Sequence, residues 1–433
     1  MMKIRLLAVG VAIVFSLPSY AMTLSEAYAL ALSKDAKLAS SSARLEADEE
    51  LKAQATAQLL PQVTASLSAK KEDYQLPTSK TNFDETTNNR NLQVTQAVYN
   101  RQAFYNYDQA GLKVDYARLR LSATQNELGV RVSEAYLNCL LAQENLALSK
   151  QQIETTEQRF KQVNAALKVG YSTKVDVLGL TAELDDAKAN YMADQQRLAS
   201  ARQKLKVIIG QEIPDVLPWP KLQPETIMSK FVTANSWLDQ AQQFNLDVQL
   251  QRKAVEVAQQ EVEMRRSAFY PVVNVGAFYA DADGSTYFAQ KNDNKAIYVE
   301  MKLPLYQGGY DSSRVRESRA LLRSAEFDAE YARLYATQQA QEQLSAIHAS
   351  REKLQAIAQA ITSGESYLAS AEEGYRLGLR DLAEISRAKE KLFVNRREQA
   401  RASVELLNAL IQLHAVSGQL SDDAMTQISK AVW

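Results

Sequence analysis

Two long stretches of the chain, 78–213 and 305–433, contain no proline and repeat apolar residues every three or four positions. The segment "LRLSATQNELGVRVSEAYLNCLLAQENLALS" at 119–149 is typical, and good helix formers dominate both stretches. Because proline breaks helices and is absent here, the pattern predicts long amphipathic helices in coiled-coil-like contact.

The lengths of these helices indicate an elongated body. The predicted helix over 100–168 would be about 100 Å long at 1.5 Å per residue. The predicted helices over 172–210 and 24–60 would each be roughly 60 Å long on the same rule. Two shorter helices stacked end to end would therefore match the long one.

Shorter segments beside the prolines alternate apolar and polar residues, as strands with one apolar face do. Segments of about ten residues with this alternation are what a membrane-spanning barrel needs, and aromatic residues mark its interfaces. The predicted lipid face comprises Val63, Ala65, Leu67, Val273, Val275, Val299 and Met301. The accompanying aromatic residues are Phe269, Tyr270, Phe278, Tyr279, Tyr287, Phe288, Tyr298, Tyr306 and Tyr310. A soluble sheet with one wet face is the alternative interpretation.

The number of predicted strands limits how they can enter a membrane. Each half of the chain carries two of them, and single-chain barrels begin at about eight strands. An open sheet of four would expose its edges to lipid, where backbone groups find no hydrogen-bond partner. Several chains must then share one barrel, and two, three or four chains would give eight, twelve or sixteen strands.

The two halves of the sequence repeat each other. The segment "LLPQVTASLSA" at 59–69 matches "FYPVVNVGAFY" at 269–279, "LQVTQAVYN" at 92–100 matches "VEMKLPLYQ" at 299–307, and Gly170 matches Gly378. A near-constant offset over three landmarks indicates a tandem duplication. We therefore predict repeats over 22–212 and 225–433, joined by the proline-rich linker "IPDVLPWPKLQP" at 213–224.

The N-terminus indicates export from the cytoplasm. Lys3 and Arg5 precede an apolar run at 6–17, which is too short to span a bilayer, and small residues follow at 19 and 21. This pattern predicts a secretory signal peptide over 1–21, with an uncleaved anchor as the alternative. The residue directly after the predicted cut is Met22 and not a cysteine, so a lipoprotein is not expected.

Composition argues against several classes of function. The formal net charge is −1 and becomes −3 without the two positive charges of the signal, which disfavours nucleic acid as a partner. His348 and His414 stand alone in helical patterns without neighbouring ligands, so we expect no metal site. Cys139 is expected to be a small buried apolar residue. No nucleophile elbow, phosphate-binding loop or zinc motif is present, so we expect neither an enzyme nor a cofactor.

Four stretches together resemble the TolC family of outer-membrane channel-tunnels over essentially the whole mature chain. They are "TLSEAYALALSKDAKL" near the start, "LPLYQGG" after the last strand, "YRLGLRDLAEI" and "NALIQLHAVSGQLSDDAM" near the end. Each stretch is weak alone, but their order, spacing and duplication are specific. The resemblance implies a mostly α-helical homotrimer whose helical hairpins form a periplasmic α-barrel. Its four strands per chain would contribute to a twelve-stranded transmembrane β-barrel in the outer membrane of a Gram-negative bacterium.

The same resemblance implies a function. The trimer would be the passive exit duct of tripartite efflux pumps or type I secretion systems, for small molecules or proteins. A periplasmic adaptor would connect it to an inner-membrane transporter of the ABC, RND or MFS type. The alternative is a soluble periplasmic coiled-coil adaptor or scaffold, although such a protein usually has a single hairpin flanked by β-rich domains.

The resemblance also assigns site residues at the ends of the helical hairpins. Tyr375 and Arg380 would pair with Asp176 and hold the tunnel end shut, and Glu384 would line the constricted lumen. Arg387 stands where the family has a second acidic residue, so a doubly acidic ring is not expected. Ordinary solvated charges at a helix end are the alternative interpretation.

Two glycine-bearing stretches, "ALKVGYSTKVDVLGLTAEL" at 165–183 and "EEGYRLGLRDLAEISRAKEKL" at 372–392, are predicted to be the turns of these hairpins. Glycine suits the left-handed position that ends a helix. The turns are apolar with an accessible backbone, so we expect the adaptor to dock on them. The predicted docking residues are Val169, Gly170, Tyr171, Leu377, Gly378 and Leu379.

Overall fold

The computed structural model describes residues 22–75, 82–222, 224–227, 229, 231, 236–284 and 292–433. The predicted signal peptide at 1–21 and two of the predicted interface aromatics, Tyr287 and Phe288, lie outside the described residues. Among the described residues, no helix combines the length and the apolar character needed to cross a membrane.

Ten α-helices occupy most of the described chain. Their bounds are α1 Leu24–Lys34, α2 Ala36–Ala57, α3 Arg101–Lys168, α4 Lys174–Ile209, α5 Pro224–Ile227, α6 Trp237–Phe244, α7 Leu246–Arg266, α8 Tyr310–Arg376, α9 Leu382–Val416 and α10 Asp422–Val432. Shorter helices pack along each of the two long helices, α3 and α8. α2 and α4 pack on α3, while α7 and α9 pack on α8. This is the predicted arrangement of two short helices against one long one.

The predicted single helix over 24–60 was wrong. Asp35 breaks it into α1 and α2, and its extended backbone makes it the N-cap of α2. The Asp35 carboxylate accepts the Leu38 N–H at 2.8 Å and a two-pronged pair from Arg131 at 3.1 and 3.2 Å. A capping aspartate competes with helix continuation because it satisfies the first N–H groups of the next helix.

Four antiparallel strands form one sheet in the order β1-β2-β3-β4. Their bounds are β1 Gln62–Gln75, β2 Asn82–Tyr99, β3 Val272–Gly284 and β4 Asn292–Lys302. The first and last strands have no second partner among the described residues, so the sheet has two free edges. α2 leads into β1, and α8 follows β4, so each free edge continues into a helix.

The strand register gathers most of the aliphatic residues on one face, whereas the predicted interface aromatic Phe278 lies on the opposite face with Gln93. Val63 lies opposite Val94, which lies opposite Ala277, and Val275 lies opposite Val299. Opposed residues of antiparallel strands point to the same side. The other face carries Thr64, Ser66, Gln93, Asn274 and Tyr298. A bulge between Ala97 and Tyr99 shifts the pattern only at the end of β2.

The elements of the two halves coincide in order and closely in length. α2 begins at Ala36 and α7 at Leu246, whereas α3 ends at Lys168 and α8 at Arg376. The near-constant offset of the sequence repeat therefore recurs in the folded elements. The largest core lies where both halves meet, and it includes Leu128, Tyr136, Leu140, Leu406 and Leu410.

Candidate gate and docking turns at the hairpin tips

Both helical hairpins turn through the same backbone motif. Gly170 has φ +82° and Gly378 has φ +73°, so each occupies the left-handed region after a helix. The residue after each glycine donates its N–H to the carbonyl five residues earlier, at 2.9 Å in the first turn and 2.8 Å in the second. These are Schellman motifs, which satisfy the last carbonyls of α3 and α8.

The side chains beside the two glycines are apolar and exposed. Tyr171 is 86% exposed and Leu379 is 76% exposed, and Val169 and Leu377 are likewise open to solvent. Among the described residues, no atom lies within 4 Å of a Cβ built on Gly170 or Gly378, so the backbone there is accessible. The predicted docking residues thus form two small apolar surfaces on the tip of one chain.

Asp176 begins α4 as part of a capping box. The Thr173 hydroxyl accepts the Asp176 N–H at 3.2 Å, and the Asp176 carboxylate accepts the Thr173 N–H at 2.8 Å. The Ser172 and Thr173 hydroxyls also donate to the same oxygen, Oδ2. The Thr173 N–H and these hydroxyls lower the pKa of Asp176 below its ordinary value.

Glu384 occupies the equivalent position at the start of α9 in the second repeat. Its N–H donates to the Asp381 cap at 2.8 Å, as the capping pattern predicts. Its carboxylate instead accepts the Tyr367 hydroxyl at 2.7 Å and the Arg380 guanidinium at 3.2 Å. Tyr367 lies on α8 across the hairpin, and its hydrogen bond to Glu384 raises the pKa of the phenol.

Within one chain, the structure therefore joins Arg380 to Glu384 and leaves Asp176 in its cap. The Arg380 side chain also lies against Gly374, where an added Cβ would come within 2.7 Å of Arg380 Cγ. The first glycine of the second stretch thus makes room for this arginine on the last turn of α8. Arg387 is exposed one turn after Glu384.

Tyr375 belongs to a small apolar cluster at the base of the tip. It packs with Phe160, Val177 and Leu368 against the buried residues Val163, Leu180, Ala371, Leu382 and Ile385. A cleft of about 510 Å³ lies beside this cluster between α3 and the α8–α9 hairpin, and Tyr375 lines it. The cluster connects the two hairpins through side chains of α3, α4, α8 and α9.

The family described as "Outer membrane efflux protein" matches residues 27–211 and again residues 237–419. The chain belongs to this family. The predicted resemblance to the TolC family is confirmed.

Individual relatives support the same family assignment. The chain is 26% identical over 346 residues to the outer membrane protein TolC of Vibrio cholerae, with 78% of each chain covered. It is 23% identical over 336 residues to the alkaline protease secretion protein AprF of Pseudomonas aeruginosa, over 76% of this chain and 69% of that protein. The fold is similar to that of the outer membrane protein VceC from Vibrio cholerae, with a TM-score of 0.78, 18% identity, and 92% and 97% of the chains covered.

Membership of the outer membrane efflux protein family establishes the general function. The chain is an outer-membrane exit duct of the efflux and type I secretion class and is not an enzyme. It extends into the periplasm, forms a trimer, and works with a periplasmic adaptor and an inner-membrane transporter. The alternative of a soluble adaptor or scaffold is not favoured.

Two ionic clusters between the hairpins were not predicted from the sequence. Arg159 on α3 donates to Glu183 on α4 at 3.2 Å and to Ser386 on α9 at 2.6 Å. Because α3 and α9 belong to different halves of the chain, this contact ties the first hairpin to the second. No local motif marks it, since Arg159 and Ser386 are 227 residues apart.

The second ionic cluster lies further along the same three helices. Arg397 on α9 reaches the Ser149 hydroxyl on α3 and the Asp194 carboxylate on α4. Arg197 also donates to Asp194 at 2.9 Å. Burial acts to raise the pKa of Asp194, but these donors outweigh it and the pKa is lowered. Among the described residues, no group of His, Cys, Asp and Glu side chains could hold a metal ion.

Proposed function

We propose that the hairpin tips form a closed gate in the exit duct and that the adaptor opens it by docking on the two turns. The observation that carries this proposal is the pairing of exposed apolar turns with charged helix starts at one end of the chain. The opposite end carries the four-stranded sheet. Substrate would therefore pass from the tips, along the helical body, to the outer membrane.

The apolar face of the sheet is the proposed lipid contact. Val63 is 66% exposed in the single chain, Leu67 82%, Val299 70% and Met301 67%. The opposite face carries hydroxyl and amide side chains suited to a wet lumen. Three copies joined through the free edges of β1 and β4 would have no exposed edge, as a hydrocarbon environment requires.

The gate is proposed to close between neighbouring copies. Asp176 uses Oδ2 for its own cap, and among the described residues Oδ1 has no hydrogen-bond partner. Arg380 donates to Glu384 through Nη1, and within the described part of the chain its other guanidinium nitrogens have no hydrogen-bond partner. Each copy thus offers a free carboxylate oxygen and free guanidinium donors. We propose that Arg380 and Tyr375 brace one copy against Asp176 of the next, while Glu384 lines the lumen.

We also propose the boundaries of the two sequence repeats. Residues 22–212 and 225–433 would be duplicated units that place two hairpins per chain around the duct. The linker at 213–224 would join the two units and pack on the helical body, where Leu217 is buried. Its contacts fit that role, because the Gln143 amide on α3 donates to the Leu217 carbonyl at 2.9 Å and the Trp433 indole donates to the Pro218 carbonyl at 2.7 Å.

Gly378→Trp tests the docking surface. The bulky side chain should cover the second turn, so export with the cognate adaptor and transporter should be lost. Trimer yield should be unchanged, because the turn lies outside the barrel. Export would be measured in cells that depend on this duct.

Gly378→Asn is the matched control. Asparagine tolerates the left-handed conformation better than most residues and is small, so export should be retained. Normal export by Gly378→Trp would exclude this turn as the docking site. Equal loss in both variants would show that backbone strain, and not the covered surface, causes the defect.

A further inference from the structure

The polar face of the sheet holds a tyrosine ring across a glycine. Tyr298 on β4 lies over β3, where a Cβ built on Gly276 would come within 2.5 Å of the ring and its hydroxyl. The Tyr298 hydroxyl accepts a hydrogen bond from the Gln93 amide on β2 at 3.0 Å. The ring is therefore fixed at both ends, because β4 holds its Cα and Gln93 holds its hydroxyl.

A second ring extends this surface along β3. Phe278 follows Gly276 by two residues, and its ring centroid lies 6.4 Å from that of Tyr298, with 51° between the ring planes. Both side chains are half-buried in the single chain. Rings at this separation pack as an aromatic pair. We call Tyr298 and Phe278 the aromatic shelf.

A cleft of about 670 Å³ opens over the aromatic shelf. Its other lining residues include Gln93, Asn89, Asn91 and Glu300, which belong to the same polar face. The sheet therefore curves around this face, as the inner side of a barrel does. This curvature supports the proposed assignment of the polar face to the lumen.

The cleft offers hydrogen-bond acceptors that the chain leaves without partners. Glu300 is exposed and has no ion pair or hydrogen bond among the described residues. The Asn91 Oδ1 atom is buried, and it too lacks a partner within the described part of the chain. Carboxylate and amide oxygens only accept hydrogen bonds, so a ligand must bring donors. Lys302, the next residue of this face on β4, lies outside the cleft.

We propose, on the basis of the proposed lumen side of the sheet, that this cleft binds planar organic cations. The negative faces of the two shelf rings attract a flat cation laid over them. Glu300 supplies the negative charge at one end of the cleft, and Asn91 Oδ1 accepts a donor at the other. Simple inorganic cations lack a ring for the shelf, and planar anions are repelled by Glu300. Three chains would place three such sites in the barrel, at the opposite end of the duct from the proposed gate.

Ethidium, a planar aromatic cation, tests the site through its fluorescence anisotropy with the purified trimer in a neutral detergent. Glu384→Ala is the background in every titration, so that the acid proposed at the tunnel mouth does not contribute. Ethidium should bind this trimer, and the affinity should fall as salt rises. Naphthalenesulfonate, a planar aromatic anion, should not compete.

Substitutions in the cleft should weaken this binding. Glu300→Gln and Tyr298→Ala should each lower the ethidium affinity about two- to fivefold, the factor expected for one exposed ion pair or cation–π contact. Gly276→Ala should also lower it without removing a binding group, because its methyl would displace the Tyr298 ring. Tyr298→Phe keeps the ring and should retain most of the affinity. Glu72→Gln is the matched control and should not change the affinity, since Glu72 lies on the same face outside the cleft and is paired with Lys70.

Equal ethidium affinity in Glu300→Gln, Tyr298→Ala and the background trimer would overturn the site, as would a background trimer that does not bind ethidium. If Tyr298→Ala does not form a trimer, Glu300→Gln and its control Glu72→Gln decide the question.

Ser66→Cys, in a Cys139→Ala background, separates failure of the site from failure of the proposed duct. Ser66 is exposed on the polar face outside the cleft, so a charged maleimide should label it in the intact trimer. Labelling of Ser66→Cys together with unchanged ethidium affinity in Glu300→Gln would overturn the cation site alone. Absence of labelling would mean that the faces are assigned wrongly, and would overturn both.

Discussion

Equivalent acidic residues of the two repeats make different hydrogen bonds at the hairpin tips. Asp176 and Glu384 occupy the same position of their helices, yet Asp176 is held in its own capping box and Glu384 reaches Tyr367 and Arg380. The shorter side chain reaches only its own N-cap, whereas the extra methylene lets glutamate cross the hairpin. The aspartate therefore stays in the cap of α4, whereas the glutamate links α9 to Tyr367 of α8 and to Arg380.

The buried imidazole of His414 predicts an acid-sensitive step in stability. His414 packs edge-on against Trp237 at 4.9 Å and Phe231 at 6.0 Å, and burial lowers its pKa to about 4. Between pH 6.5 and 4 the unfolded chain binds a proton that the folded chain does not, so stability falls as pH falls through this window. The loss should approach about 3 kcal/mol by pH 4 and then level off.

His414→Gln should remove this dependence, because glutamine does not titrate. Thermal unfolding of the trimer between about pH 7.5 and 4 would measure it as a flatter slope, whatever the absolute stability of the variant. His348→Gln is the matched control, since His348 is exposed on α8, and it should keep the wild-type slope. A wild-type slope in His414→Gln would assign the acid sensitivity to the carboxylates instead.

At the scale of elements, periodicity predicted most of the fold because each helix and strand buries one regular face. The long helix over 100–168 differs from α3 by one residue, Asn100, which proved to be its cap. The break at Asp35 was missed because the apolar pattern continues through it, and one of the two partners of the Asp35 carboxylate, Arg131, is distant in sequence. The contacts of Arg159 and Arg397 were missed for the same reason.

The sheet register supports a prediction about its two faces. Val275→Arg should reduce assembly into the outer membrane, because a cation on the lipid face near the midplane costs about 2–4 kcal/mol. Asn274→Arg, one residue away, points to the other face beside Glu300 and should assemble normally. Ser66→Arg lies on that same face and should also be tolerated. Heat-modifiable trimer in the outer-membrane fraction is the readout, and equal assembly of all three variants would mean that the faces are assigned wrongly.

At the scale of the whole molecule, the duplication lets one chain supply two similar sectors of a ring. Each chain has two helical hairpins of similar build, α3 with α4 and α8 with α9, so three chains present six comparable sectors. The sequence alone left two, three or four chains open, because strand count does not choose among them. Membership of the family gives the number of chains as three, because no local feature of one chain determines how many copies assemble.

The proposed gate is a property of this ring and gives the last prediction. Arg380→Ser with Tyr375→Phe should raise the conductance of the purified trimer severalfold in planar bilayers, because the braces between neighbouring copies are lost. Each exposed ion pair contributes only ~0–1 kcal/mol, so three of them make a latch that modest binding energy can open.

Asp176→Ala should act in the same direction and add little to Arg380→Ser, since both break one pair. Glu384→Ala removes the in-chain partner of Arg380 and should leave the pore closed while weakening cation preference. Single-channel recordings separate these outcomes. Fully additive effects of Asp176→Ala and Arg380→Ser would mean that the two residues do not meet across copies. An unchanged conductance in the Arg380 and Tyr375 double variant would mean that the segment 372–392 is only a helical turn with solvated charges.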